Sequence, residues 1–311
     1  MKKITFINSF RESCGVFQYG KRLSNILKKS TNYHLNYIEI ETEENFFTNL
    51  NGLPNDTDFF IFNYHPLTMP WLGNHILQQL PNSKKIMLFH EGSEPAINVD
   101  SYILVSETEN DLGNKYSIPR PLFENLNLKP IEAIKTFPII SSYGFGFGDK
   151  GFGRVVKIIN EQFDNALIRL HIPFAYYGDR EGQSIKNIYP GCYNEITKPG
   201  IKLEITNNFL TEQELLQFLS ESTLNIFLYD EMKGRGLSSV IDYALSVDVP
   251  LAINKSWMFR KIYNTSPSIC VEDKSLKEII DQGIQPLQQY RDKWSNENLI
   301  KKVEQILNQT I

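Results

Sequence analysis

The sequence predicts an α/β protein built from two successive βα domains. Strand-like and helix-like segments alternate along the chain, the pattern of a mostly parallel sheet covered by helices. Several strand-like segments are short apolar runs, as strands buried on both faces require. The alternation stops at a proline cluster, Pro119, Pro121 and Pro130, and then begins again. A length of 311 residues suits two such domains.

In the first half, residues 3–10 read as a strand and 16–29 as an amphipathic helix. Residues 35–41 alternate like a strand, and 59–63, 86–89 and 102–105 are buried apolar runs. After the prolines, 136–142 form a new strand, followed by a glycine-rich turn and a helix over 152–163. Residues 168–177 and 224–229 read as strands, and 211–220 and 238–246 as helices. Short strands follow at 251–254 and 268–271. The tail, 288–309, reads as one or two helices with Trp294, Leu299, Val303, Ile306 and Leu307 as the apolar stripe. The expected divisions are 1–130, 131–287 and a closing helical segment, 288–311.

Composition narrows the function. Apolar residues make up 41% of the chain and aromatics 12%, enough for two cores. Lys and Arg number 32 against 36 Asp and Glu, a net charge of −4. That balance argues against a nucleic-acid binder, which carries a basic face. The three cysteines, Cys14, Cys192 and Cys270, have neither metal-ligand spacing nor an even disulfide count, which suits a reducing compartment. No apolar run approaches the ~20 residues of a membrane helix. The opening MKKITFINSF reads as a first strand rather than a signal peptide, so a cytoplasmic location is expected.

Four segments carry candidate chemistry. In residues 9–23 a strand ends, Gly15 permits a tight turn and a helix begins, so its first amides face an anion; an ordinary βα turn is the alternative. Residues 142–154 hold five glycines, Gly146 among them, and Lys150 at a helix start, where bare amides and an ammonium suit a diphosphate. A plain exposed loop remains the other reading. Residues 229–245 bring a buried strand end, Lys233, Arg235, Gly236, Ser238 and Ser239 to one helix start. Guanidinium grips phosphate bidentately there, or Ser238 simply caps the helix. The same loop holds Asp230 and Glu231. Finally, His90 and Glu91 follow one buried strand and His65 another. Ligands gather beyond the carboxyl ends of such strands, although either histidine also suits a turn. His90 and Glu91 are the catalytic candidates, and His65 is a further ligand candidate. The carboxylates Asp56 and Asp58 precede their strand, at the wrong end for a ligand-bound metal, and no metal or other cofactor is expected.

In these segments the chain resembles the GT-B glycosyltransferases, in the GT4-like group of retaining sugar-nucleotide enzymes. Cys14-Gly15-Val16 resembles the first-loop glycine of that family, and Lys150-Gly151 the Lys-Gly of its second domain. Tyr243-Ala244-Leu245 with Pro250 resembles its donor-binding helix, and residues 290–307 its closing helix. Tyr243 departs from the pattern, standing where the family carries a glutamate. The resemblance implies two Rossmann-like domains facing a cleft, with the last helix returning to the first domain. It implies hexosyl transfer from a nucleotide-diphosphate sugar to a glycan, lipid-linked or protein acceptor, with retention and without a metal, with Asp230 or Glu231 at the donor sugar or ribose hydroxyls and His65 on the acceptor side. A non-catalytic sugar-nucleotide binder or scaffold, or a sugar-nucleotide epimerase, would share this layout.

Overall fold

The computed structural model describes all residues except 11–13, 51–56, 81, 91–96, 106–110, 112, 130–136, 175–178, 180 and 311. The chain forms two compact units. The first comprises Met1–Pro121, Gly234–Leu237 and Lys293–Ile311, and the second Leu122–Lys233 and Ser238–Asp292. In chain order the elements are β1 (Lys2–Ser9), α1 (Gly15–Leu27), β2 (Tyr33–Ile40), α2 (Glu43–Leu50), β3 (Phe59–Tyr64), α3 (Asn74–Leu77), β4 (Lys84–Phe89), β5 (Ser101–Leu104) and β6 (Lys115–Tyr116). There follow β7 (Ile139–Tyr143), α4 (Phe152–Gln162), β8 (Ala166–His171), α5 (Gln183–Asn194), β9 (Ile201–Thr206), α6 (Glu212–Ser220) and β10 (Leu224–Phe227). The last are α7 (Val240–Ser246), β11 (Leu251–Ile253), α8 (Leu276–Gln282), α9 (Gln285–Lys293) and α10 (Asn296–Gln309).

The strands of the first unit pair in the order β2-β1-β3-β4-β5-β6, and every pairing is parallel. Side-chain alternation along each strand feeds two separate cores. Ile4, Phe6, Phe59, Ile61, Ile86 and Leu88 point to one face, where α1 packs with Leu23 and Ile26 and α10 with Leu299, Val303 and Ile306. Ile7, Phe60, Phe62, Met87 and Phe89 point to the other, covered by Phe46 of α2 and Ile76 and Leu77 of α3. The closing helix α10 is thus part of the first unit's core.

The second unit repeats the plan with strand order β11-β10-β7-β8-β9, again all parallel. Its core joins Val155, Val156 and Ile159 of α4 to Ile140, Ile168, Leu170, Leu224 and Ile226 of the sheet. Boundaries move by a few residues from the sequence reading. The strand expected at 268–271 is a single bridge between Ile253 and Cys270. The helix expected from Ser238 begins at Val240. Ser239 is its N-cap residue and makes no side-chain cap, so the serines do not cap α7 in the way their sequence position suggests.

Candidate functional site

In the first unit the carboxyl ends of β1, β3 and β4 converge. The register sets Ile7 beside Phe62 and Tyr64 beside Phe89, so Asn8, Asn63 and His90 reach one edge of the sheet. Asn8 and Asn63 are fully buried. Asn63 Nδ2 donates to the Val16 carbonyl at 2.8 Å and to Asn8 Oδ1 at 2.7 Å. Asn8 Nδ2 donates to the Phe17 carbonyl and to Tyr37 Oη, both at 2.9 Å. The His90 imidazole meets Asn63 Oδ1 through Nε2 at 2.6 Å, and Tyr19 stands edge-on to it at 4.9 Å. The buried Arg120 guanidinium lies 5.0 Å over the Tyr19 ring. Burial first, then the charges of Arg120 and His65, push the His90 pKa down to about 3. His90 is therefore a neutral hydrogen-bonding group at physiological pH.

Helix α1 approaches these strand ends closely because Gly20 has no side chain. A Cβ there would stand 2.3 Å from Asn63 Nδ2 and 2.7 Å from Asn8 Oδ1. Gly15 opens α1 behind Cys14, which is extended and makes no side-chain cap. His65 lies in the turn after β3: its Nδ1 accepts from the Leu67 amide at 3.1 Å, and its carbonyl from Thr68 and Met69. Glu91 lies outside the described residues. Asp58 sits at the amino end of β3, accepting the Lys3 amide at 2.7 Å, as its place before the strand implies.

In the second unit the glycine-rich loop joins β7 to α4. Gly146 is needed for packing, since a Cβ would come within 2.3 Å of Ile185 Cγ1. Gly151 is left-handed (φ +63°), and a Cβ there would lie 1.8 Å from the Leu228 carbonyl. It is the N-cap residue of α4 and offers no side-chain cap, and the first turn of α4 holds no acidic residue. Such a helix start presents amides and the positive end of the helix dipole. Lys150 folds inward: Nζ is 3.4 Å from Asp149 and 4.1 Å over the Tyr229 ring.

The loop after β10 is held by paired groups. Asn254 clamps the Tyr229 backbone, accepting its amide at 2.9 Å and donating to its carbonyl at 2.7 Å. Asp230 pairs with Arg154 at 2.5 Å, and Arg154 also donates to the Leu228 carbonyl at 2.7 Å. Glu231 accepts the Trp257 amide at 2.7 Å. Ser238 is buried, with Oγ 3.5 Å from Tyr229 Oη. Burial raises the Tyr229 pKa, so the phenol stays protonated. Lys150, Gly146, Asp230, Glu231, Ser238 and Ser239 thus share the second unit, whereas Arg235 and Gly236 group with the first. Tyr243 is buried, donates to Glu212 Oε1 at 3.1 Å and packs against Phe123 and Tyr143. The glutamate position of the resembled family is therefore a packed aromatic here.

Sequence reasoning missed Asn8, Asn63, Arg120, Arg154, Tyr229 and Asn254 as parts of these two clusters. Asn8 and Asn63 carried a signal, each being a polar residue at the end of an apolar strand run. Among the described residues no group of three His, Cys, Asp or Glu side chains is arranged to hold a metal ion, and no helix is long and apolar enough to cross a membrane.

No family model matches the sequence, and no curated protein matches it. Solved structures match its whole length. HepE of Anabaena, solved with UDP and glucose, superposes with a TM-score of 0.68 at 10% identity, covering 99% of this chain and 100% of that one. A glycosyltransferase from Rickettsia africae gives 0.68 at 13% identity, covering 99% and 98%. AviGT4, a glycosyltransferase of avilamycin A biosynthesis, gives 0.68 at 11% identity, covering 100% and 98%. With two parallel βα sheets in sequence and full-length agreement with these enzymes, the chain has the fold of the GT-B glycosyltransferases.

Proposed function

We propose that the protein is a glycosyltransferase that moves a hexosyl group from a nucleoside-diphosphate sugar to an acceptor, with retention and without a metal. The observation that carries this reading is the start of α4, uncapped by any side chain and flanked by Lys150 and Arg154 at the carboxyl end of β7. Departure of a nucleoside diphosphate builds up negative charge, and fixed amides with nearby cations stabilise that charge as it develops. The second unit holds the donor by its diphosphate. Lys150 swings from Asp149 and the Tyr229 face to the phosphate oxygens, and Arg235 adds charge from its glycine-flanked loop. The first unit serves the acceptor side through Gly15 and His65. His90, neutral and firmly held, hydrogen-bonds a sugar hydroxyl without transferring a proton. A protein of this fold holds UDP and glucose in its solved structure, which supports the donor class.

Thermal melting with UDP-, GDP-, ADP- and TDP-sugars tests the reading, because a ligand that binds only the folded state raises the melting temperature. One donor should raise it, and the same donor should be consumed with an acceptor in the presence of a chelator. If no sugar nucleotide shifts the melting curve, the assignment fails. The packed Tyr243 favours one second reading, a sugar-nucleotide binder without transfer. In that case the donor binds and is neither transferred nor hydrolysed.

A further inference from the structure

The hydrogen bonds around His90 determine which of its nitrogens carries the proton. Val16 and Phe17 present backbone carbonyls, which only accept, so the atoms facing them must be the amide nitrogens of Asn63 and Asn8. This settles the orientation of both side chains. Asn63 Nδ2 then donates to Asn8 Oδ1, and Asn63 Oδ1 is left as an acceptor toward His90. His90 Nε2 must be the donor in that contact.

Beyond Asn8 the sense of donation continues. Asn8 Nδ2 donates to Tyr37 Oη at 2.9 Å, and the phenol donates to Glu39 Oε1 at 3.0 Å. The chain His90, Asn63, Asn8, Tyr37, Glu39 is directed throughout, and it ends on a carboxylate suited to receive the last proton. Burial, then the bonds to Asn8 and Glu39 and the Glu39 charge, leave the Tyr37 pKa raised overall, so its proton stays in place. Asn63 and Asn8 are fully buried and held at both ends, so neither amide can flip without breaking bonds to the backbone of α1.

We infer that Asn8 and Asn63 are positioning residues that lock His90 as the Nε2–H tautomer, so that its Nδ1 presents only a lone pair and whatever meets it must be a hydrogen-bond donor, such as a sugar hydroxyl. An anionic oxygen does not suit that nitrogen. The tautomer assignment rests on the hydrogen bonds alone. Its bearing on the hydroxyl rests on the glycosyltransferase reading above. Among the described residues, the charged and titratable groups acting on the imidazole include Arg120 and His65, with Tyr19 against its edge and Glu39 at the far end of the chain.

Nitrogen-detected NMR of ring-labelled histidine tests the assignment, with His90 identified by the signal lost in His90→Gln. The expected wild-type result is one tautomer, Nε2 protonated and Nδ1 bare, with no titration between pH 5 and pH 8. Asn63→Asp keeps an acceptor for Nε2–H and places a carboxylate against the ring, so the His90 pKa should rise by about two units or more. In Asn63→Leu the acceptor is gone, and both tautomers should appear. A wild-type His90 whose neutral form is protonated on Nδ1 overturns the proposal without reference to any variant. An Asn63→Asp protein that folds and shows no upward shift overturns it as well. The failure of the glycosyltransferase reading would appear elsewhere, in absent sugar-nucleotide binding, and would leave the tautomer intact.

Discussion

Replacing Gly20 by alanine tests how tightly α1 is joined to the polar cluster. Gly20 lies inside α1, and in an ordinary helix interior the change to alanine stabilises by about 0.5–1 kcal/mol. Here the new Cβ would sit 2.3 Å from Asn63 Nδ2, 2.7 Å from Asn8 Oδ1 and 2.8 Å from Asn63 Cγ. Both asparagines are fully buried and bonded to α1 carbonyls, so neither can swing aside freely. Overpacking of this kind costs about 1–3 kcal/mol, and each buried polar group stripped of its partner about 1–3 kcal/mol more. With one such group stripped and the helix gain subtracted, the net expected loss is about 1–5 kcal/mol. Urea unfolding followed by circular dichroism measures it, and Gly20→Ser should lose at least as much. An alanine variant as stable as wild type, or more so, refutes the close approach of α1 to Asn8 and Asn63.

Three further outcomes follow from the structure. Gly151→Ala combines a left-handed backbone with a Cβ 1.8 Å from the Leu228 carbonyl, so a loss of about 2–5 kcal/mol is expected in denaturant titration. Lys150→Ala and Arg235→Ala should each weaken sugar-nucleotide binding by about tenfold to a hundredfold in calorimetric titration, the worth of one charge-assisted phosphate contact, while leaving the fold intact. Unchanged affinity in either variant removes that residue from the donor site. Stability should also fall with pH. Burial lowers the pKa of His90 to about 3 and of His171 to about 4, so the unfolded chain binds protons first as pH drops through 6.5. The stabilisation is full above pH 6.5 and is lost progressively toward pH 4 for His171 and toward pH 3 for His90. His171, which is buried, should account for about 2 kcal/mol of the loss between pH 7.5 and pH 5, and His171→Gln should flatten the profile by that amount.

The elements that could be read from the sequence were those whose cause is local. Residues 59–63 and 224–229 are apolar runs ended by polar loops, and they became β3 and β10 almost residue for residue. The glycine-rich turn before α4 was legible because left-handed backbone at Gly151 needs glycine wherever it occurs. Other elements were hidden because their signals conflict. Helix α5 carries Pro190 in its interior, which reads as a break. The helix start at Ser238 looked like a capped terminus, yet tertiary contacts turn Ser238 toward Tyr229 and move the start to Val240.

His90, His65 and Lys150 could be placed at strand ends or helix starts from local pattern. Their partners could not. Asn8 and Asn63 are 55 residues apart in the chain and touch only because β3 lies beside β1. His90 joins them because β4 lies next in the sheet. Apolar periodicity dictates that these strands exist and are buried, since burial depends on each strand's own side chains. Strand order and register decide which polar ends meet. They arise from packing of the whole sheet against its helices, so no short stretch of sequence contains them.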